Sequence, residues 1–257
     1  MTNKQLPITK LTVGSVTPSV LVCGDPARAR QIAGHLEQVE ELVYEREYYA
    51  CKGLYKGTAI TVCSHGVGAP GAAIAFEELI AAGAKRLLRV GTCGGLQPQV
   101  QDGHLVIVTA AVQQTGYGRE TVPPGYPAVA EPEMVLALRQ AAAALPQPWH
   151  SGIIITRDNF YPGVNAIYTA DYQIMAQANV LAVEMECAAL FLVGSLRGVQ
   201  TGAILAVDGN VLAKKESMDA YDPHREVVKT AVAAEIKIAL TALYQLEKMA
   251  LHQKRKT

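Results

Sequence analysis

Short apolar segments that end in glycine or a carboxylate alternate with amphipathic segments along nearly the whole chain. Residues 20–23 (VLVC) are one such segment, and their uniform apolarity is typical of a strand buried on both faces. The segment stops at Gly24, Asp25 and Pro26, and a proline suits the first turn of a helix. This order of strand, turn and helix predicts an α/β fold with a mainly parallel sheet.

The same alternation continues to the C-terminal part of the chain. It predicts strands at residues 20–23, 58–63, 85–90, 104–111, 152–156, 181–183 and 202–207. It predicts helices at residues 27–36, 72–82, 132–145, 170–179, 185–196 and 223–249. No linker, low-complexity tract or repeat divides the 257 residues, so we expect one domain that spans residues 1–257.

A ligand is expected to bind next to the residues that directly follow the predicted strands. In α/β folds, ligands bind beyond the carboxyl ends of the parallel strands. The segments at those ends are Gly24 with Asp25, residues 64–68, 89–92, 158–163 and 184–186, and Asp208.

The overall charge of the chain is balanced, with 23 Lys and Arg against 23 Asp and Glu. Nucleic-acid binders usually carry a basic excess, so we expect no nucleic-acid partner. No apolar run approaches the roughly 20 residues that a membrane helix needs, and the N-terminal segment lacks the apolar core of a signal peptide. Five cysteines without a CxxC pair argue against disulfides and a zinc site. We therefore expect a cytoplasmic protein with free thiols, no membrane contact and no bound metal.

Gly66, Gly68 and Gly71 form a G-x-G-x-x-G pattern between a predicted strand and a predicted helix. In a dinucleotide-binding fold, an acidic residue should then end the next strand. That strand ends at Val90 without a carboxylate, which counts against an NAD-dependent oxidoreductase or a nucleotide-binding regulatory module. The loop is either a tight turn for close helix–strand packing or an anion or ribose loop at a helix N-terminus, and the second interpretation is slightly favoured.

Two arginines at predicted strand ends indicate an oxyanion ligand. Arg28 follows Gly24 by one helical turn, and Arg89 is followed closely by Thr92. A guanidinium group binds phosphate through parallel hydrogen bonds, so this pair predicts a phosphate site. The alternative is that each arginine is solvated or forms a salt bridge. That alternative is weaker for Arg89, because its apolar neighbours indicate a buried strand in which a charge needs a partner.

Three carboxylates also lie at predicted strand ends. Glu184 and Glu186 flank Met185 at a strand-to-helix junction. One of the two is expected to cap the helix, and Glu186 is the candidate for binding ligand hydroxyls. No further Asp or His cluster completes a metal site in the sequence around them. Asp208 ends an apolar strand, where it either acts as a general acid or satisfies the backbone of a turn.

Together these segments resemble the motifs of the nucleoside phosphorylase-I family, which includes purine nucleoside and uridine phosphorylases. The resemblance extends from about residue 18 to residue 245, with the motifs in the family's order. The matching segments are Gly24-Asp-Pro with Arg28, Arg46-Glu-Tyr, Ser64-His-Gly-Val-Gly, Arg89-Val-Gly-Thr, Phe160-Tyr-Pro-Gly, Val183-Glu-Met-Glu186 and Val207-Asp-Gly. The resemblance implies a single-domain, three-layer α/β/α fold around a mixed, mainly parallel sheet.

The resemblance also implies a role for each matched residue. The phosphate ligands would be Gly24, Arg28, Arg89, Thr92 and, from a neighbouring subunit, Arg46. The nucleoside ligands would be Met185 and Glu186 for the ribose and Tyr161, Val183 and Asp208 for the base. Asp208 would protonate or hydrogen-bond N7 of the departing purine, with Arg89 as the second catalytic residue. Inorganic phosphate would be the co-substrate, with no cofactor or metal, and the enzyme would be a dimer-based homo-oligomer, expected as a hexamer.

Two departures from the family's motifs bear on the substrate. Uridine phosphorylases carry Gln-x-Arg after the Phe-Tyr-Pro-Gly turn, whereas this chain has Val164, Asn165 and Ala166. Together with Asp208, this favours purine nucleosides, inosine or guanosine before adenosine, over the alternative of uridine. The family's N-terminal His, which reaches the neighbour's ribose 5′-hydroxyl, is absent from residues 6–9. A 5′-modified substrate such as methylthioadenosine stays an alternative, as does a nucleosidase that uses water.

Overall fold

A ten-stranded mixed sheet forms the centre of the computed structural model, which describes residues 4–161, 171–212, 222 and 225–254. The strands are β1 (Ser19–Cys23), β2 (Glu37–Glu45), β3 (Tyr48–Tyr55), β4 (Thr58–Ser64), β5 (Arg86–Gly95), β6 (Leu105–Gln114), β7 (Ala128–Val129), β8 (Trp149–Arg157), β9 (Ala182–Glu184) and β10 (Gln200–Asn210). The helices are α1 (Pro26–Ala33), α2 (Ala69–Ala81), α3 (Gly116–Thr121), α4 (Pro132–Ala142), α5 (Tyr172–Gln177), α6 (Cys187–Arg197) and α7 (Glu226–Lys254).

The sheet combines a parallel centre with a ring of strands at one end. β1 lies between β4 and β5 and runs parallel to both, and β10 runs parallel to β5 on its other side. The strands β10, β6, β8, β9 and β5 pair in that order, and the pairing of β10 with β5 closes the ring. β9 and β8 are parallel to each other but β9 runs antiparallel to β5. The sheet is therefore mixed, as expected.

Helices cover both faces of the sheet and create two apolar cores. On one face, α2 and α6 contribute Phe76 and Phe191 to the first core. On the other face, α1, α4 and α7 contribute Ile32, Leu138 and Ile236 to the second. Leu87 belongs to the first core and Leu88 to the second, because successive strand residues point to opposite faces. The three-layer α/β/α prediction is confirmed.

Each predicted strand has a counterpart in the structure, whereas some elements are not anticipated by the sequence patterns. The antiparallel strands β2 and β3, the helix α3 and the short strand β7 fall in segments without a predicted element. β2 is polar and largely exposed, so it lacks the apolar run by which the other strands are recognised. The helix predicted at 170–179 is shorter, at Tyr172–Gln177, and the start predicted at residue 223 lies outside the described residues.

All five cysteines are buried free thiols, in agreement with the absence of a disulfide framework. No helix in the described part of the chain is long and apolar enough to cross a bilayer.

Candidate active site

A cavity of about 950 Å³ opens where β1, β5, β9 and β10 end or change register. Its wall brings together eight of the residues selected from the sequence. They are Gly24, Arg28, Arg89, Thr92, Val183, Met185, Glu186 and Asp208. The site is not at one edge of a parallel sheet, because β9 runs antiparallel to β5 and delivers Glu184 from the opposite direction.

Arg89 is a buried cation at the centre of the charged network. The residue is 3% exposed, and its Nη2 donates to Glu186 Oε2 at 2.5 Å and to Glu184 Oε2 at 3.2 Å. Burial alone would lower the pKa of Arg89. The negative charges of Glu186 and Glu184 raise this pKa by more than burial lowers it, so the net shift is upward. Its Nε has no hydrogen-bond partner among the described residues. Arg89 is therefore fully charged and retains a free donor.

His65 lies beside this arginine as a neutral, packed side chain. Its Nε2 is 3.4 Å from Arg89 Nη1, and its ring meets Phe76 edge to face at 5.3 Å. Burial and the charge of Arg89 together hold the His65 pKa well below its usual 6.5. This geometry fits a packed core histidine better than an acid–base catalyst.

Glu184 and Glu186 divide the two roles expected for them. Glu184 accepts from the backbone amides of Glu186 at 2.8 Å and Cys187 at 3.0 Å, and from Thr156 Oγ1 at 2.5 Å. These are the orphan donors at the start of α6, so Glu184 satisfies the helix N-terminus. Glu186 faces Arg89 instead. Burial raises the pKa of Glu186 although Arg89 opposes the shift, and the charge of Glu184 adds to it.

The glycine loop is committed to this carboxylate network. Gly66 and Gly68 have positive φ angles of 74° and 94°, which favour glycine, and α2 starts at Ala69. The amide of Gly68 donates to Glu186 Oε1 at 2.6 Å. The loop at the helix N-terminus therefore donates to the carboxylate of the chain's own Glu186, and its binding of a ligand anion or ribose stays a prediction.

Arg28 contacts a carboxylate that the sequence did not bring forward. Asp25 caps α1 by accepting from the Ala27 amide at 2.8 Å, which places Arg28 one turn into the helix. Arg28 Nη1 lies 3.5 Å from Glu235 Oε1 on α7. Glu235 is wholly buried, and its Oε2 has no hydrogen-bond partner in the described part of the chain. Burial raises the Glu235 pKa to about 8, against the charges of Arg28 and Arg89.

Asp208 is buried, at 5% exposed, where the pairing of β10 with β5 shifts by one residue between Val207 and Gly209. Its backbone oxygen accepts from Arg225 Nη2 at 2.8 Å, and Arg225 Nη1 is 2.6 Å from Asp102 Oδ2. The bulge and the arginine fix the Asp208 backbone beside the cavity. Its charge is one of the causes, after burial, that raise the pKa of Cys93.

Comparison with known proteins assigns the chain with this cavity to a family. The family model described as the phosphorylase superfamily matches residues 18–243. This chain belongs to that superfamily. The charged cavity is therefore the active-site candidate of a phosphorylase-superfamily enzyme.

The names of the similar proteins refer to two classes of substrate, purine nucleosides and uridine. A purine nucleoside phosphorylase from Plasmodium vivax is 39% identical over 240 residues, which are 93% of this chain and 96% of the relative. A uridine phosphorylase from Treponema pallidum is 37% identical over 231 residues, which are 86% and 89%. The crystal structure of purine nucleoside phosphorylase from Toxoplasma gondii in complex with immucillin-H matches with a TM-score of 0.89 at 36% identity, over 95% of this chain and 97% of that one. The resemblance to nucleoside phosphorylases is confirmed at this coarser level.

Two of the selected residues lie outside the cavity wall in this phosphorylase-superfamily chain. Arg46 is exposed in the turn between β2 and β3, with a positive φ of 54°, although its neighbour Glu47 lines the cavity. Tyr161 is 67% exposed and packs edge to face on Phe160, which does line the cavity. The triplet at residues 164–166, which bears on uridine, lies outside the described residues.

Two further residues of the site were missed. Arg157 lines the cavity at the end of β8, one residue beyond the predicted strand 152–156. Its position directly after a predicted strand is a signal that would have found it. Glu235 lies among apolar residues in the long C-terminal helix. A lone carboxylate on an apolar helix face is a weaker indication of a functional residue than a position after a strand.

Proposed function

We propose that this chain catalyses the phosphorolysis of purine nucleosides, inosine and guanosine before adenosine, to free base and ribose 1-phosphate. The observation that carries the proposal is that Arg28, Arg89 and Thr92 share one cavity with Glu186 and Asp208. Cations at fixed positions suit a phosphate nucleophile, and carboxylates suit ribose hydroxyls and a base nitrogen.

The phosphate is assigned to the arginine wall of the cavity, which we define as Arg28, Arg89 and Thr92. The two guanidinium groups have only hydrogen-bond donors, which an oxyanion requires, and the Thr92 hydroxyl and the Gly24 amide can each donate one more. Arg89 Nε is without a partner among the described residues, so this donor is available to a ligand oxygen. A water nucleophile would not need two cations in the cavity wall, which favours phosphorolysis over hydrolysis.

The chemistry follows from the placement of the carboxylates. A phosphate oxygen forms a bond to C1′ while the bond from C1′ to the base nitrogen N9 breaks, and its electron pair leaves with the base. Glu186 accepts hydrogen bonds from the ribose hydroxyls and Met185 packs on the sugar, which aligns C1′ with the nucleophile. Asp208 donates its proton to N7 and thereby neutralises the departing base, which rests against Val183, with Tyr161 at the outer rim of the base site. Inorganic phosphate is the only co-substrate in this scheme.

Arg46 is proposed to complete the phosphate site of a neighbouring subunit in a dimer-based homo-oligomer, expected as a hexamer. Its exposure next to the cavity-lining Glu47 supports this assignment. Co-expression of Arg46→Gln and Arg28→Gln chains tests it, since a mixed dimer would hold one intact site only if Arg46 acts in trans. At subsaturating phosphate, random pairing is expected to add up to roughly a quarter of wild-type activity to that of the two single variants, because a quarter of the sites are intact. No recovery above the two single variants would contradict the shared site.

Uridine phosphorolysis is the second candidate, because the uridine phosphorylase of Treponema pallidum is 37% identical to this chain. The two functions are separated by incubating the protein with inosine, guanosine, adenosine, uridine and methylthioadenosine, each with and without phosphate, and identifying the products. We expect phosphate-dependent release of hypoxanthine and guanine. Release of uracil but not hypoxanthine would overturn the purine assignment. Base release without phosphate would identify a nucleosidase instead.

A further inference from the structure

Arg157 is a buried cation in the part of the cavity that holds aromatic residues. It ends β8, whose residues Ile155 and Thr156 pair with Val183 and Glu184 of β9, and Arg157 lines the same cavity as Val183. Phe160 and Tyr172 line the cavity there as well, and we call these two residues the aromatic wall. Arg157 is only 7% exposed.

The contacts of Arg157 hold its guanidinium group in place but do not neutralise it. Its Nη1 donates to the Tyr172 hydroxyl at 2.5 Å, and its guanidinium carbon is 5.4 Å from the centre of the Tyr172 ring. Asp158, the nearest carboxylate in sequence, accepts from the Gly116 amide at 2.6 Å. No carboxylate of the described residues lies within ion-pair distance of Arg157.

This separates Arg157 from the other two cavity arginines. Arg89 contacts Glu184 and Glu186, and Arg28 contacts Glu235. A buried charge without a counter-charge destabilises a fold, so a purely structural arginine would be expected at the surface or in an ion pair. Stacking on Tyr172 alone does not require burial in a cavity wall.

We propose that Arg157 is a specificity-determining residue that recognises the carbonyl edge of the base and selects 6-oxopurine nucleosides over 6-aminopurine nucleosides. The inference rests on the proposed phosphorolysis of purine nucleosides and names the class of purine. A guanidinium group has only donors, so it complements the O6 oxygen of hypoxanthine and guanine. The 6-amino group of adenine presents a donor at the same position and would leave a buried N–H of Arg157 unpaired.

The same contact stabilises the departing base. As the bond from C1′ to N9 breaks, the electron pair moves onto the base and part of the negative charge reaches O6. A fixed cation at O6 is therefore better matched to the transition state than to the bound nucleoside, so its loss should lower kcat more than it raises KM. Asp208 would then protonate N7 and Arg157 would stabilise the negative charge on O6 of the same leaving base.

The test compares Arg157→Met with the wild type for inosine, guanosine and adenosine at saturating phosphate. We expect kcat/KM for inosine and guanosine to fall roughly 10- to 100-fold while adenosine changes less than about threefold. The matched control is Arg139→Met on α4, outside the cavity wall, where the guanidinium carbon lies 5.9 Å from the ring centre of Trp149 in β8. That variant should leave the ratio of inosine to adenosine turnover unchanged.

A second variant keeps the inference testable if Arg157→Met folds poorly. Tyr172→Phe keeps the ring but removes the hydroxyl that Arg157 contacts, so it should lower the inosine-to-adenosine ratio by a smaller factor without loss of structure, as followed by circular dichroism. Equal losses for inosine and adenosine in both variants would overturn the specificity role while leaving phosphorolysis intact. A wild type that releases no purine base from any nucleoside would instead overturn the proposed function itself.

Discussion

The arginine wall and the aromatic wall of the cavity are built in different ways. Arg89 lies on a central strand, is 3% exposed and is held between two carboxylates. Phe160 is 50% exposed on the segment after β8, and Tyr172 belongs to α5, a helix of six residues of which none is buried. The first wall is therefore rigidly held by ion pairs, whereas the second lies on partly exposed segments. Relatives named for purine nucleosides and for uridine both resemble this chain over most of its length.

The largest effect expected from this contrast is on stability. Arg89→Met leaves Glu184 and Glu186 buried without their cation, so the free energy of unfolding should fall by about 3–5 kcal/mol. Phe160→Ala, in the aromatic wall, should lower it by less than about 1 kcal/mol because the ring is half exposed. Urea denaturation of both variants measures the difference. Similar losses in the two walls would show that they are equally structural.

The next effect separates the proposed proton donor, Asp208, from the arginine wall by the kinetic constant that each one changes. Asp208→Asn cannot deliver a proton to the base, so kcat for inosine should fall by about 100- to 1,000-fold while the phosphate KM changes little. Arg28→Gln should do the reverse, with a phosphate KM raised several-fold and a smaller change in kcat. Steady-state kinetics at varied phosphate distinguishes them. Unchanged turnover in Asp208→Asn would remove Asp208 from the mechanism.

A pH effect is expected at the arginine wall alone. The Glu235 pKa of about 8 means that its carboxyl is mostly protonated below pH 8 and ionised above it. The ionised form neutralises Arg28, so anion affinity should weaken by up to about tenfold per pH unit above pH 8. The other buried groups facing Glu235 do not titrate near that pH: the pKa of Cys23 is raised to about 12, that of Cys93 is raised well above its usual value, and Arg89 stays charged.

Sulfate is the suitable probe for this pH effect because it stays a dianion from pH 6 to 9, whereas phosphate itself titrates. Calorimetric titration of sulfate should show the weakening above pH 8 in the wild type and a flat profile in Glu235→Gln. Equal slopes for both proteins would assign the titration to another group.

The smallest effect is expected at the outer rim of the aromatic wall. Tyr161 is 67% exposed, so Tyr161→Ala should raise the KM for inosine by only about two- to fivefold and leave the melting temperature unchanged. Inosine kinetics and a thermal melt measure both quantities. A loss as large as that of Asp208→Asn would mean that Tyr161 moves into the cavity when the nucleoside binds.

The sequence predicted the parts of the site that depend on local order along the chain. Arg89, Glu186 and Asp208 were found because each follows or lies at the end of an apolar segment, and the strand-end rule needs no three-dimensional information. Glu235 could not be found in this way, since its contact with Arg28 joins residues 207 positions apart and depends on how α7 packs on the sheet. The reversed direction of β9 was also invisible, because periodicity identifies a strand but not its orientation.

The antiparallel pair β2–β3 shows a second limit. An edge strand such as β2 gains its stability from hydrogen bonds to one neighbour rather than from burial, so its residues are polar and carry no apolar pattern. Arg46, in the turn of this hairpin, was reached through the family's motif alone.

The closed ring of β5, β10, β6, β8 and β9 has a consequence for how molecules enter and leave. In an open sheet, a crevice can widen by small rotations between neighbouring strands. In this ring every strand is hydrogen-bonded on both sides, so widening would rupture a ladder. We therefore expect the ring to keep one shape from ligand binding to product release. Entry and exit of ligands would then depend on the segments around the opening of the cavity.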